Sequence, residues 1–410
     1  MNQLKLFLPC AAGVEDYLAE EAHRLTGLQG EDLRVLRGGI SMRASWRDAQ
    51  LMNLHSRLAQ RVLIELSHTE YRSEQNLYDA ASQVAWEIWF TPKQSFKIEV
   101  TAQHSPLTSL NFAALKIKDA IADRFRAKAN GVRPSIETQW PDVRVFAHLT
   151  TDHCTLYIDT SGEPLFKRGW RQDKGDAPLK ETLAAAMLAA SGWWNPESGE
   201  VSAQPLYDPC CGSGTIAIEA AQIARGIPAG ALRQFGFEKL LPFQPHVWAA
   251  IKNVAPQAAA NAGAVFGSDV SHRMVDFAER NAERAGVADA IEFRGGDALQ
   301  RMPPADGGVI VLNPPYGERI EVGGVAAPGR FGAREQAETD DGGEFFSQLA
   351  THWKKNYAGW TAWVLTPDLQ LLKRMRLKES RRVPMWNGPI ECRLFRFDMV
   401  AGSARGKPAG

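Results

Sequence analysis

The sequence predicts an α/β protein, with a doubly wound parallel sheet in its C-terminal half and mixed α+β structure ahead of it. Three observations carry this expectation. From Leu206 onward, short apolar runs alternate with amphipathic helical patterns, and strands interleaved with helices imply a parallel sheet covered on both faces. Before Asp159 helices and strands are mixed without that strict alternation. At 410 residues the chain also exceeds one comfortable domain, so two or three are expected.

Taken in order, KLFLPC reads as a strand, and VEDYLAEEAHRL as a helix with Val14, Leu18 and Ala22 at helical spacing, ended by Gly27. The segments QLMNLHSRLAQRVLIEL, NLYDAASQVAWEIWF and FKIEVTA mix helix and strand. A longer helix, NFAALKIKDAIADRFRAKA, stops at Asn130-Gly131, and the strands RVFAHLTT and HCTLYIDT follow, with Leu156 and Ile158 sharing a face. Asp173 to Pro178 is a polar joint before the alanine-rich helix LKETLAAAMLAASGW. After a loop from Asn195 to Pro205 come LYDPCCGSG with TIAIEAAQIARG, AVFGSDV with SHRMVDFAERNAERAG, then IEFRGGDA and GGVIVLNPPYG. Val322 to Gly343 is glycine-rich and is expected to be a mobile loop. EFFSQLATHWKKNYAG reads as helix, TAWVLTP as strand, and Asn387-Gly388 as a hairpin turn. Residues 401–410 are expected to be a disordered tail, and no internal repeat is visible.

Composition excludes several classes. No run approaches the roughly 18 apolar residues that a bilayer span needs, and the N-terminus turns acidic before a signal-like core is complete. Five cysteines, with Cys210 and Cys211 adjacent, make a poor disulfide framework, so a reducing cytoplasm is expected. The nine histidines show no metal-ligand spacing. Net charge is zero, but its distribution is uneven. Lys373, Arg374, Arg376, Lys378, Arg381 and Arg382 form one basic stretch, opposed only by Glu379. Lys116, Lys118, Arg124, Arg126, Lys128 and Arg133 form a second, and Lys167, Arg168, Arg171 and Lys174 a third. Any one of them reads equally well as a solvated face; three together favour a polyanionic partner.

Asp208-Pro209-Cys210-Cys211-Gly212-Ser213-Gly214 places an acid at a strand end and then Gly-x-Gly at the start of a helix. Glycine is needed where the chain turns sharply and a ligand approaches the backbone. The third glycine of a dinucleotide fingerprint is replaced by Ala217. A carboxylate before the turn repels a pyrophosphate but suits a cofactor with an ammonium and a sulfonium, such as S-adenosylmethionine. Asp269 ends the next strand, where it can bind ribose hydroxyls, and Asp297 ends the one after, the place for a contact to the adenine amino group. Each of these two alone reads equally well as a helix cap. Three acids at successive strand ends are harder to explain as caps.

Asn313-Pro314-Pro315-Tyr316 follows the apolar strand VIVL. Two prolines stop the strand and stiffen the turn, and a bare proline turn is the plain alternative. The chemistry offers a sharper one. An amino group on a nucleobase is a poor nucleophile because its lone pair is delocalised. The Asn313 side-chain oxygen and the Pro314 carbonyl can accept its two hydrogens, while Tyr316 stacks on the flipped base. Transfer is then a direct displacement helped by proximity. Cys210 and Cys211 sit beside expected carboxylates that raise a thiol pKa, so they read as small packing residues of the cofactor turn rather than nucleophiles.

Residues from about Leu206 to Arg319, through DPCCGSGTIAIEAA, GSDV and LNPPYGER, resemble class I RNA methyltransferases of the RlmL type. The resemblance implies guanine-N2 methylation of large-subunit ribosomal RNA with S-adenosylmethionine as donor. FKRGWR and APLKETLAAAML are similar to that family's linker and closing helix, implying that Ala177, Pro178, Leu179 and Lys180 lie near the cofactor. It further implies a ferredoxin-like segment over 1–45, a THUMP RNA-binding domain over 46–160, a linker over 161–179 and a Rossmann-like methyltransferase domain over 180–400. Glu318 and Arg319 are implied at the active site, and Lys116, Lys118, Arg168, Arg171, Arg319, Lys373, Arg374 and Arg376 are the expected contacts to RNA. Some members carry a second fused methyltransferase domain, for which this chain is too short. The expected partner is 23S rRNA or a large-subunit assembly particle, with no membrane and no metal. A tRNA guanine-N2 methyltransferase, a DNA adenine methyltransferase and a catalytically silent RNA-binding assembly factor are the alternatives.

Overall fold

The computed structural model describes residues 3–175, 178–314 and 343–400, together with the backbone of 322–323 and 336–337. The chain forms two compact units. The first comprises Met1–Cys10, Ala22–Leu165 and Arg233–Ala255, and the second Ala11–Glu21, Phe166–Leu232 and Pro256–Gly410.

In chain order the N-terminal elements are β1 (Leu4–Pro9), α1 (Glu15–Thr26), β2 (Leu33–Leu36), β3 (Gly39–Ala44), α2 (Trp46–His55), β4 (Leu63–Glu70), α3 (Glu74–Gln83), β5 (Phe96–Ala102), α4 (Leu110–Lys128), β6 (Val143–Leu149) and β7 (His153–Asp159). All seven strands belong to one sheet in the order β2-β3-β1-β4-β7-β6-β5. The strands from the first 45 residues therefore share a sheet with those that follow, joined through the antiparallel pairing of β1 with β4. Only β5 and β6 run parallel. A parallel pair needs a crossover of a dozen or more residues, and α4 supplies it. Its stripe Ala113, Ile117, Ala120, Ile121 and Phe125 is buried, as are Val143, Val145, Ala147 and Leu149 on alternate positions of β6. The stop expected at Asn130-Gly131 is present as two residues with φ of 52° and 83°. α2 begins at a capping box between Ser45 and Asp48.

The remaining elements are α5 (Glu181–Ala190), β8 (Leu206–Asp208), α6 (Thr215–Ala224), α7 (Pro245–Lys252, in the first unit), β9 (Val265–Asp269), α8 (His272–Arg284), β10 (Ile291–Gly295), β11 (Gly308–Leu312), β12 (Val322–Gly323), β13 (Gln336–Ala337), α9 (Gly343–Asn356), β14 (Trp360–Thr366), α10 (Leu371–Met375), β15 (Arg381–Asn387) and β16 (Ile390–Asp398). The second sheet has the order β10-β9-β8-β11-β14-β16-β15. β10, β9, β8, β11 and β14 are parallel, as the alternating pattern requires. β16 and β15 are antiparallel and meet at the expected Asn387-Gly388 hairpin. β12 and β13 form a two-stranded antiparallel ladder within the stretch expected as a loop. The rest of that stretch and the tail 401–410 lie outside the described residues.

α5 is buried along its whole length, which suits an alanine-rich helix with no polar face. A core block of the second unit gathers around β11 and β14, where Ile310, Leu312, Trp353, Tyr357 and Trp360 are all buried. Tyr207 and Tyr357 stack with centroids 6.5 Å apart, and the Trp360 ring meets Tyr357 edge-on. Ile310→Ala at the centre of this block is expected to cost about 2–5 kcal/mol. Urea unfolding checks it, with a fall in midpoint at unchanged slope as the expected outcome.

Candidate functional site

A parallel sheet leaves a crevice at the carboxyl ends of its strands where the strand order reverses. Here the chain passes from β8 outward to β9 and β10, then returns to β11 on the other side of β8. The reversal point thus lies between the ends of β8 and β11. Asp208 ends the first and Asn313-Pro314 follows the second.

Asp208 is only 2% exposed. Its Oδ1 accepts the Cys210 N–H at 3.1 Å, closing a tight turn. Gly212 and Gly214 then adopt φ of 53° and 87°, a region that disfavours side chains. The two glycines have different reasons to be glycine. A Cβ on Gly214 would stand 3.0 Å from the Ala278 Cβ on α8, whereas one on Gly212 would meet nothing within 4 Å and would project into open space. Gly214 permits close helix packing, and Gly212 keeps the floor of the crevice bare.

Asp269 braces the turn from the neighbouring strand. Its Oδ2 accepts the Gly212 N–H at 2.9 Å and its Oδ1 the Ser271 N–H at 2.9 Å. Asp297 stands two residues beyond the end of β10 rather than on it, and its Oδ1 accepts the Leu299 N–H at 2.9 Å. Both aspartates therefore do make cap-like bonds, yet all three carboxylates raise the pKa of the single Cys210 thiol, which places them around one turn. Among the described residues none of the three has an ion-pair partner. Burial pushes the Asp208 carboxyl from 3.8 up to about 8, with a further upward push from Asp269. Burial also raises Asp269, against the two N–H donors. An acidic, water-poor crevice whose three carboxylates have no ion-pair partner among the described residues fits a cationic ligand. Burial and then Asp208 and Asp269 hold the Cys210 and Cys211 thiols well above the ordinary range, so neither is an activated nucleophile.

Asn313 is half-buried and Pro314 buried. The Asn313 Oδ1 is shielded from solvent and has no hydrogen-bond partner among the described residues. Buried acceptors are nearly always satisfied; this one stands at the reversal point, just before residues that lie outside the described ones. Pro315, Tyr316, Glu318, Arg319 and Ala177 lie outside the described residues. Pro178 is exposed, and Lys180 precedes α5 with its Nζ 5.0 Å from the centre of the Phe166 ring.

The residues expected to contact RNA divide. Lys116 lies over the Phe112 ring at 5.5 Å and Lys118 pairs with Asp119 at 2.9 Å, both on α4 of the first unit. Lys373 and Arg376 are exposed, while Arg374 pairs with Asp368 at 3.0 Å. Two expectations are corrected. Arg168 is 1% exposed and its guanidinium bonds the Glu219 carboxylate on α6, at 3.0 and 3.3 Å. Arg171 is turned inward onto Glu181, Ser213, Leu179 and Thr215. Neither offers a charge to a phosphate, because each neutralises a buried carboxylate. Sequence reading also missed Asn281, which is fully buried and donates to the Ser213 carbonyl at 3.1 Å. Its signal was present: an amide on the apolar stripe Val275, Ala278, Ala282 of α8.

A model of the RMKL-like methyltransferase domain matches residues 168–396, more than half of the chain. The chain belongs to the RMKL-like methyltransferase family. Ahead of that domain the methyltransferase matches the RlmL ferredoxin-like domain over 5–63 and the THUMP domain over 71–159. Ribosomal RNA large subunit methyltransferase K/L of Psychromonas ingrahamii is 36% identical over 402 residues, covering 96% of this chain and 50% of that protein. Its counterpart in Shewanella baltica is 36% identical over 409 residues, covering 98% and 54%. The chain spans about half the length of the curated relatives it matches. Among solved structures, SMU.472, a methyltransferase complexed with SAH, superposes with a TM-score of 0.81 at 25% identity, covering 97% of this chain and 98% of that one. A methylase from Listeria monocytogenes str. 4b F2365, described as N6-adenine-specific for DNA, gives 0.80 at 27% identity over 97% and 96%. Among the described residues no helix is long and apolar enough to cross a membrane, and no cluster of His, Cys, Asp or Glu is placed to hold a metal ion.

Two stability predictions follow from the charges. Asp208 keeps a proton in the fold that the unfolded chain loses near 3.8. The stabilisation this gives is complete below the unfolded value and is lost as pH rises through the folded one. In the chain alone, Asp208→Asn is therefore expected to melt higher than wild type, by a margin widening from about pH 4 to about pH 8 and constant above. Melts across that range check it; a margin independent of pH contradicts a buried charge here. Arg168→Ala leaves the Glu219 carboxylate buried without its guanidinium, and a loss of roughly 3–5 kcal/mol in denaturant unfolding is expected.

Proposed function

We propose that this methyltransferase uses S-adenosylmethionine to methylate the exocyclic N2 amino group of a guanine in 23S rRNA. The observation that carries the reading is the buried Asn313 Oδ1, without a hydrogen-bond partner among the described residues, at the sheet's reversal point. It is joined by the three acid-bearing strand ends and supported by the relatives named for ribosomal RNA large subunit methylation. When bound, the donor supplies an electrophilic methyl group on sulfur.

The chain's own residues do the rest. Asp208 offers negative charge to the donor's cationic end, Asp269 accepts from ribose hydroxyls, and Asp297 faces the adenine amino group. Gly212, Ser213 and Gly214 form the floor with Cys210, and Pro178 and Lys180 border the same end. The Asn313 Oδ1 and the Pro314 carbonyl each accept one hydrogen of the guanine amino group, turning its lone pair toward the methyl carbon. Tyr316, beside Pro315, stacks on the extruded base, and Arg319 follows on the same segment. The first unit, with its THUMP match, holds the RNA, and Lys116, Lys118, Lys373, Arg374 and Arg376 contribute charge to that contact. All five cysteines are free, in keeping with a reducing cytoplasm. Naked 23S rRNA and a large-subunit assembly particle present the same amino group to this site.

Asn313→Ala is expected to lower methyl transfer to unmodified rRNA by about a hundredfold or more, with affinity for S-adenosylhomocysteine within a few-fold of wild type. A tritiated-methyl assay with calorimetry checks both. Nucleoside mass spectrometry of rRNA, tRNA and DNA from a strain lacking the protein identifies the target. Missing N2-methylguanosine in 23S rRNA is the expected outcome, and loss of N6-methyladenine from DNA instead would overturn the proposal.

A further inference from the structure

Residues 166–175 and 178–181, which lead into α5, are tied to the cofactor turn through Arg171 and Asn281, beside the ion pairs of Asp173 with Arg280 and Arg284 on α8. The first contact comes from Arg171. Its Nη1 donates to Ser213 Oγ at 3.0 Å and its Nη2 to Thr215 Oγ1 at 2.7 Å. The same guanidinium donates through Nη2 to the Leu179 carbonyl at 3.2 Å and through Nε to Glu181 Oε1 at 2.9 Å. One side chain therefore binds the turn with two donors and residues 179 and 181 with two others. The second contact comes from Asn281 on α8, which is 0% exposed. Its Oδ1 accepts the backbone N–H groups of Gln172 and Asp173 at 3.3 and 3.4 Å. Its Nδ2 donates to the Asp173 carbonyl at 2.8 Å and to the Ser213 carbonyl at 3.1 Å. Ser213 is thus held by its hydroxyl from Arg171 and by its carbonyl from Asn281.

Folding stability alone does not account for these choices. Arg171 brings a positive charge to the first residues of α6, the end of a helix that favours negative charge. No side chain caps that helix, which is entered through Gly214. Buried Glu181 offsets the charge, and its own carboxyl is raised by burial against the pull of Arg171. Asn281 likewise takes a position on α8 that an apolar residue would fill without needing partners. Polar groups in buried positions are retained when they hold a functional geometry that packing does not specify.

We propose that Arg171 and Asn281 are positioning residues for the methyl donor. Together they hold Ser213 by its hydroxyl and its carbonyl and keep residues 178–181 against the glycine turn, so that the two walls of the donor site keep one spacing. The inference rests on the S-adenosylmethionine reading above.

The test uses the full chain, with S-adenosylhomocysteine as the calorimetric probe and steady-state kinetics on unmodified rRNA. Arg171→Met/Glu181→Gln removes the guanidinium without stranding a buried carboxylate, Arg171→Lys keeps the charge but cannot reach four acceptors, and Asn281→Leu keeps the branching at Cγ without the polar atoms. Affinity is expected to fall roughly tenfold to a hundredfold in Arg171→Met/Glu181→Gln and Asn281→Leu, and by less in Arg171→Lys. The loss is expected in KM for the methyl donor rather than in kcat. Affinity within about twofold of wild type in variants that still melt cooperatively makes both residues structural only and overturns the proposal. Failure of the unaltered chain to bind S-adenosylhomocysteine overturns the donor reading itself, and this proposal with it.

Discussion

The second unit is organised around a carboxylate that has been taken out of water without a counter-charge. Asp208 is buried at the point where the parallel sheet reverses, with Asp269 close enough to raise its pKa further and, among the described residues, only the Cys210 N–H to satisfy it. In a solvent-poor environment such a group stays neutral or finds a cation. Everything near it respects that constraint. The turn after it uses positive-φ glycines, Asp269 accepts the turn's Gly212 N–H through one oxygen and the Ser271 N–H through the other, and the two cysteines that fill the turn are held as inert thiols. An arrangement that is electrostatically unfavourable in the chain alone, yet surrounded by well-packed elements, is what a binding site looks like when stability and function pull in opposite directions.

Charge elsewhere in the molecule is used differently. Much of what reads as a basic surface is consumed internally: Arg168 by Glu219, Arg171 by Glu181, Arg124 by Glu87, Arg382 by Glu379. The first two pairs are buried and their value lies in neutralising a carboxylate that is already inside. The other two are at least partly exposed and contribute little to stability. Zero net charge is therefore consistent with an RNA partner whose recognition depends on a few exposed cations and on shape, rather than on a broad positive field.

Much of the architecture was legible because its causes are local. The Asn130-Gly131 stop, the Asn387-Gly388 hairpin and the strand–helix alternation after Leu206 each depend on residues within a few positions of one another. Less legible was where that hairpin attaches: β16 pairs antiparallel with β14 at the edge of an otherwise parallel sheet, since period-2 strands carry no mark of direction. The basic stretch at 373–382 also divided between α10 and β15, because runs of lysine and arginine override neither pattern.

By itself, the sequence determined the chemistry at the strand ends: an acid before a glycine turn, two further acids after successive strands, and Asn313-Pro314 after an apolar one. These depend on the order of residues along single strands, which the backbone repeats faithfully. Only the tertiary structure decided which side chains serve the site and which serve the fold. Arg171 meets Ser213 and Thr215 across 42 and 44 positions of chain, and Arg168 meets Glu219 across 51. It also decided that the strands of the first 45 residues share a sheet with β4–β7. Pairings over such separations are set by how strands order and helices cross. No local pattern encodes them, so an arginine destined for a buried carboxylate and one destined for solvent look the same until the chain is folded.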